Sequence, residues 1–219
     1  MTFTPDTEPS YLLCDLFASL QGEATWTGLA MFFVRFSGCP LACPWCDEPR
    51  HRDPAAARPW TAPALVTALR QIDPLLSQVL LTGGEPLAAQ SLDQLVDFLK
   101  DHGYWVAMET SGIGGIIPPG VDWVTLSPKT PLPEAVFHRA NEIKYIVDGS
   151  PADRQAVEIQ QRAQTHPNVW VQPRFEPGMA PSGASALNPQ ALQRCLDHIK
   201  QSGGRIRLSL QTHKWIGLP

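Results

Sequence analysis

The sequence predicts an α/β fold on a mostly parallel sheet. Three observations carry this. Strand-like apolar runs alternate with helix-like stretches along most of the chain, the pattern of successive βαβ units. Motifs of acids, bases and amides follow directly on the carboxyl ends of those strands, the edge where barrels and open α/β sheets build their sites. The chain of 219 residues falls short of the ~250 of a full eight-fold barrel, so a partial, trimmed barrel is the economical architecture.

The elements follow in order. Residues 1–10 read as a loose leader. Ala30–Phe36 (AMFFVRF) is a continuous apolar strand with one Arg. Asp47–Pro63 is polar and Pro-rich and reads as a loop. Leu65, Ala68, Leu69 and Ile72 recur at helical spacing. Gln78–Leu81 is a short strand. Ser91 with Gln94 resembles a capping box, ahead of Leu92, Leu95, Val96 and Leu99 on one helical face. Tyr104–Met108, Asp122–Leu126, Glu142–Val147 and Asn168–Val171 read as strands. A helix with a weak apolar stripe is expected over Ala152–Gln164. Glu176–Ser185 reads as a loop. A helix starts at Asn188 with Pro189 in its first position and Leu192, Cys195, Leu196 and Ile199 on one face. Arg205–Leu210 closes as a strand. No repeat or linker divides the chain, so residues 1–219 are expected to form a single domain.

Composition narrows the function. Hydrophobic residues make up 43% and charged residues 17%, enough apolar material for a core. Proline, at 22 residues, is about twice as frequent as usual and favours short elements with rigid connections. A net charge of −4 argues against a nucleic-acid partner. No run approaches the ~20 apolar residues of a membrane span, and the N-terminus lacks a secretory pattern, so a cytoplasmic protein is expected.

Five cysteines, an odd number, do not suggest a disulfide framework. Cys14 and Cys195 sit in apolar surroundings and read as core. Cys39, Cys43 and Cys46 are spaced C-x3-C-x2-C just after the strand AMFFVRF. Three thiolates suit a 4Fe–4S cluster with one open iron. They also suit zinc if His51 or Asp47 supplies a fourth ligand.

This spacing, with Trp45 before the last cysteine and with LTGGEP, ETSG and SPK in order, resembles the radical S-adenosylmethionine superfamily. The resemblance implies that an open iron chelates S-adenosylmethionine and that an electron from the cluster cleaves it to a 5′-deoxyadenosyl radical. It implies that the backbone of Gly83, Gly84 and Glu85 lies along the methionine amino group. Trp45, Cys46, Asp47, Gly112, Ser127, Pro128, Lys129 and Gln172 would line the rest of the cofactor. The glycines suit this, since they let backbone approach a ligand closely.

Within the superfamily, Ser19-Leu20-Gln21-Gly22-Glu23, then Phe33-Val34-Arg35, and Gln211-Thr212-His213-Lys214 near Pro219 make the sequence similar to the 7-carboxy-7-deazaguanine synthase family, from about Leu16 onward. That resemblance implies a reduced (βα)6-type barrel, a homodimer, and an electron donor such as a flavodoxin or ferredoxin. The implied reaction contracts 6-carboxy-5,6,7,8-tetrahydropterin to a deazapurine with loss of ammonia, on the route to queuosine. Leu20, Gln21, Gly22, Glu23, Arg35, Thr110, His213 and the carboxylate of Pro219 would surround the pterin. An Arg fork pairs bidentately with a carboxylate, which suits the lone Arg35. The family usually follows its last cysteine with Asp-Thr, the Thr holding a Mg²⁺ beside the substrate. Here the pair is Asp47-Glu48, and the expectation is Mg²⁺ on Glu48. A glycyl-radical activase shares the cysteine and TGGEP-like motifs but not SLQGE. A zinc-stabilised binding module is the alternative of another class.

Overall fold

The computed structural model describes residues 8–150, 155–175 and 187–219. The expected Glu176–Ser185 loop, the start of the 152–164 helix and most of the 1–10 leader lie outside these residues.

Nine strands form one sheet in the order β3-β1-β2-β4-β5-β6-β7-β8-β9. Seven run parallel: β2 (Ala30–Phe36), β4 (Gln78–Gly83), β5 (Trp105–Thr110), β6 (Trp123–Leu126), β7 (Glu142–Val147), β8 (Val169–Pro173) and β9 (Ile206–Leu208). They correspond to the seven expected strands. β3 and β9 are the edges, so the sheet is an open partial barrel.

Two strands were not anticipated. β1 (Ser10–Leu20) pairs antiparallel with β2, and β3 (Arg58–Thr61) pairs antiparallel with β1. β3 lies inside the expected Asp47–Pro63 loop. Its Pro59 is tolerated because an edge strand can omit a ladder donor.

Helices α1 (Ala62–Ile72) and α2 (Leu92–Asp101) pack on the outer face over β1–β5. Their Leu65, Leu69, Leu95 and Leu99 are fully buried against Phe32, Val34, Val79 and Val106. Thr61 caps α1 by accepting from the Ala64 N–H at 3.4 Å. The capping box expected at Ser91 does not form. Ser91 has a left-handed backbone (φ 53°) and no side-chain cap, and its carbonyl accepts from the Tyr11 hydroxyl at 2.9 Å. Short α3 (Glu134–Arg139), also unanticipated, joins α4 (Ala156–Thr165) and α5 (Pro189–Gln201) over β6–β9. Asn188 caps α5 with Pro189 first, as expected, but the buried stripe is Ala191, Cys195 and His198. α6 (Thr212–Trp215) ends the chain's ordered elements.

The inner face starts apolar. Met31, Phe33, Leu80 and Ala107 form its floor, and Trp26 from the β1–β2 connection meets Trp105 and Trp123 edge-on at 5.3 and 5.0 Å. Toward the carboxyl ends of the strands the same face turns polar.

Candidate active site

The polar part of the inner face opens into a cleft of about 220 Å³. Thiols of Cys39, Cys43 and Cys46 line one wall. The base of their loop is fixed by backbone: Gly84 N–H donates to Phe36 O at 2.8 Å, Glu85 N–H to Gly38 O at 3.0 Å, and Gly38 N–H to His51 O at 2.8 Å. The same contacts require glycine at two of these positions. A Cβ on Gly84 would lie 1.8 Å from Gly38 O, and Gly83 (φ +106°) presses on Arg35 and Phe36. Here glycine lets backbone approach backbone, locking the TGGEP loop to the cysteine loop.

Glu85 makes a second clamp. Its carboxylate is 2% exposed and accepts from Thr110 Oγ1 (2.5 Å), Ser111 N–H (2.8 Å), Ser111 Oγ (2.5 Å) and Leu87 N–H (3.1 Å). A buried carboxylate so supplied with donors ties the loop after β4 to that after β5. Thr110 lines the cleft, but its hydroxyl is committed to Glu85 and to the Gly112 N–H at 2.9 Å.

The cysteine wall fits a cluster. Among the described residues no three His, Cys, Asp or Glu side chains converge as ligands of one ion, whereas an iron–sulfur cube takes its thiolates on separate corners. Burial pushes the Cys39 and Cys46 thiols up. His51 Nε2 lies 3.4 Å from Cys46 Sγ. Asp47 is turned away to Gln211 (2.7 Å) and Lys214 (3.0 Å). Although burial opposes it, those two partners hold the Asp47 carboxyl far below the usual range. Lys129 donates to Ser127 Oγ at 2.5 Å. Burial, with the charge of Lys144, pushes its ammonium down to about 8.

Glu48 does not fit a resident Mg²⁺. One oxygen accepts from Arg50 N–H (3.2 Å) and Nε (3.1 Å), and the other faces Arg35 Nε at 3.8 Å. Arg50 also pairs with Asp15 at 2.5 Å. A dication there would meet two guanidiniums. Glu replaces the hydroxyl with a full charge, and the two neighbouring arginines neutralise it.

The β1–β2 connection and the C-terminal α6 segment meet over the cleft. Thr212 N–H and Oγ1 donate to Gly22 O at 3.0 and 3.1 Å. A Cβ on Gly22 would stand 2.0 Å from His213 Nδ1, so the glycine of SLQGE makes room for the histidine ring. Burial lowers the His213 ring toward its neutral form. Gln21, Glu23, Arg35, His213 and Pro219 line this side, and Ser19 Oγ donates to Pro219 O at 3.4 Å. Trp45, Gly83, Ser127 and Gln172 also line the cleft. Leu20, Gly22, Gly112 and Pro128 do not line it.

Sequence reasoning did not single out Lys144, and it gave no role to Thr82 and Glu109, although they sit in the motifs LTGGEP and ETSG. Lys144 is bonded to Glu23 and, at 3.3 Å, to Glu109. Glu109 accepts from Thr82 Oγ1 at 2.9 Å. The available signal was strand alternation: in EIKYIV, Glu142 and Lys144 point inward while Ile143 and Tyr145 point to the outer core.

Comparison with known proteins agrees with this geometry. Residues 33–158 match the radical SAM superfamily model. The 7-carboxy-7-deazaguanine synthase of Haemophilus influenzae is 30% identical over 97% of this chain and 96% of its own length. That of Synechocystis is 36% identical over 95% and 94%. The crystal structure of QueE from Escherichia coli superposes with a TM-score of 0.73 at 26% identity, covering 92% of this chain and 94% of that one. At this identity over nearly the whole of both chains, the chain belongs to the 7-carboxy-7-deazaguanine synthase family of radical S-adenosylmethionine enzymes.

Proposed function

We propose that the cleft contracts 6-carboxy-5,6,7,8-tetrahydropterin to 7-carboxy-7-deazaguanine with loss of ammonia, a step of deazapurine biosynthesis toward queuosine. The observation that carries this is the closure of the Gln21–Glu23 segment and His213 over the cleft that the cysteines line. A glycyl-radical activase offers no reason for that joint.

Cys39, Cys43 and Cys46 would hold the 4Fe–4S cluster, which together with S-adenosylmethionine would supply radical chemistry at the carboxylate-bearing carbon of the pterin. The chain's own residues orient the reactants. Lys129, Ser127 and Gln172 face the cofactor side. The Arg35 fork, flanked by the Phe17 and Phe33 rings at 5.5 and 5.9 Å, takes the substrate carboxylate. Glu23 and the neutral His213 ring hold the pterin. Glu48 positions Arg35, and turnover proceeds without a resident Mg²⁺. A radical S-adenosylmethionine enzyme needs an external reductant, here a flavodoxin or ferredoxin. The chain works as one catalytic domain, as a homodimer, in the cytoplasm. Among the described residues no helix is long and apolar enough to cross a membrane.

Anaerobic turnover of the carboxytetrahydropterin by cluster-loaded protein, with the product identified by mass, tests the reading. Ammonia and a product of the deazaguanine mass are expected. S-adenosylmethionine cleavage with unchanged pterin would overturn it. Repeating the assay in chelator, with and without added Mg²⁺, tests the ion: full turnover in chelator is expected, and dependence on added Mg²⁺ would return Glu48 to the role of ligand.

A further inference from the structure

We propose that Lys144 is a positioning residue for the amine-bearing end of the pterin, holding Glu23 and Glu109 side by side as hydrogen-bond acceptors in the cleft. The proposal rests on the reaction assigned above and concerns a residue that no motif singles out.

Three separate elements meet at the Lys144 ammonium. Its side chain is 7% exposed and projects inward from the middle of β7. It donates to Glu23 Oε2, from the β1–β2 connection, and to Glu109 Oε1, from β5, at 3.3 Å. Each carboxylate has a second anchor. Glu23 Oε1 accepts from Gln211 Nε2 at 2.7 Å, and Glu109 Oε2 accepts from Thr82 Oγ1 at 2.9 Å. Gln21 Nε2, at 3.3 Å, completes the Glu109 shell. Both acids are therefore fixed in direction as well as in charge.

Two carboxylates against one ammonium leave a local surplus of one negative charge. The pyrimidine edge of a pterin presents N–H donors, from its amine and ring nitrogen, and carboxylates accept such donors in parallel pairs. In this partly buried setting, protonating an acceptor would replace that attraction with a donor facing a donor.

Several charged groups face this trio. Glu142 lies one inward position along β7, where Thr125 and Thr25 donate to it at 2.7 and 2.6 Å. Lys129 lies beyond β6, Asp47 on the cysteine loop, and His213 on α6. Burial opposes the charge on Lys144, yet Glu109 and Glu23 hold its ammonium far above the ordinary lysine value. Burial likewise opposes the Glu23 charge, and Lys144 is the main group keeping that carboxyl low. Without the ammonium, burial and the charge of Asp47 both push Glu23 up. It then takes up a proton more readily, and gives it up again as pH rises.

The test is pterin turnover by cluster-loaded protein from pH 6 to 9 with four proteins: wild type, Lys144→Met, Lys144→Arg, and Lys144→Met with Glu23→Gln. Lys144→Met should raise the pterin KM at least about tenfold at pH 6.5, with kcat changed far less and the gap narrowing as pH rises. Lys144→Arg should stay within about threefold of wild type throughout. The double variant carries no unpaired Glu23 charge, so it remains informative if Lys144→Met misfolds. Its KM should be raised but flat with pH. A Lys144→Met KM equal to wild type, or a double variant with wild-type KM, overturns the proposal. So does an equal fall in kcat for Met and Arg with no pH slope, which marks a purely structural lysine. A wild type inert toward pterin would overturn the assigned reaction as well; failure confined to the variants would overturn Lys144 alone.

Discussion

The two faces of the sheet are built to opposite rules. On the outer face the buried apolar helix residues join aliphatic strand residues: Leu95 and Leu99 of α2 pack on Val79 and Val106, and Ile159 of α4 and Cys195 of α5 sit in the cluster with Val169 and Val171. On the inner face the same strands change character along their length. β5 shows it within six residues, with Trp105 and Ala107 on the apolar floor and Glu109 in the charged layer, while Val106 and Met108 point outward. The outer face supplies the hydrophobic stabilisation. The inner face buries Lys144, Glu23 and Glu109 at a desolvation cost that a stability-driven design would avoid. Stability and chemistry are thus separable on one sheet, and mutations can pull them apart.

The largest separation should come from pairing Cys46→Ala with Leu95→Ala. Cys46→Ala should abolish cluster absorbance and turnover, with the melting temperature of the iron-free protein little changed, because the thiol is half-buried and packs no core. Leu95→Ala should cost about 2–5 kcal/mol by leaving a cavity under α2, with kcat per cluster retained. Iron content, kcat and melting curves on the two variants check this. A Cys46→Ala protein that keeps its iron, or a Leu95→Ala protein that keeps its stability, would break the division.

Arg35→Lys should have the next largest effect. The side chain is mostly buried beside two aromatic rings and Glu48, so lysine keeps the charge but not the planar fork. The pterin KM should rise about tenfold, and the unfolding free energy should fall by only about 1 kcal/mol, since the charge is kept. An unchanged KM would remove Arg35 from the substrate carboxylate.

Lys129 sharpens the comparison through pH. With its ammonium pushed down to about 8, it is a cation below that pH and neutral above it. Affinity for S-adenosylmethionine, whose carboxylate a cation would favour, should therefore fall several-fold as pH rises from 7 to 9. Lys129→Arg should show no such fall. Unfolding does not mimic this. A lysine lowered in the folded state leaves more protons on the unfolded chain between about 8 and 10, so its contribution to stability rises with pH there. Binding titrations at three pH values decide it, and a flat profile in wild type would detach Lys129 from the cofactor.

What was legible in the sequence follows the same division. All seven parallel strands were readable because their outward residues make apolar runs bounded by turn residues. β1 was not: in SYLLCDLFASL, Cys14, Asp15 and Ser19 interrupt the pattern, and the strand is only partly buried. Strand-end motifs pointed to Glu85, Lys129 and His213 because loops announce themselves by composition, and Arg35 stood out as the one charge in an apolar strand. Lys144 and Glu109 lie within strands, and the partner of Lys144 at Glu23 is 121 residues away. Only the folded sheet shows that the two charges meet. The role of Gly84 was hidden likewise, since nothing local says that the backbone of Gly38 passes against it.

The smallest expected effect belongs to the chain's last residue. Pro219 lines the cleft beside His213, and Ser19 Oγ donates to Pro219 O at 3.4 Å, an exposed and weak hydrogen bond. Leu218 N–H bonds His213 O at 3.0 Å, so the tail is folded back on α6 before it reaches the cleft. Residues appended after Pro219 would extend from the wall of the cleft proposed to hold the pterin and would crowd it. A short C-terminal extension should raise the pterin KM about two- to fivefold, with little change in the melting temperature, since no apolar contact is lost. The same residues added before Met1 should change neither. Parallel KM measurements on the two extended proteins test this. Equal values would place the tail outside the substrate's path and leave the inner face, from Arg35 to Lys144, as the source of pterin affinity.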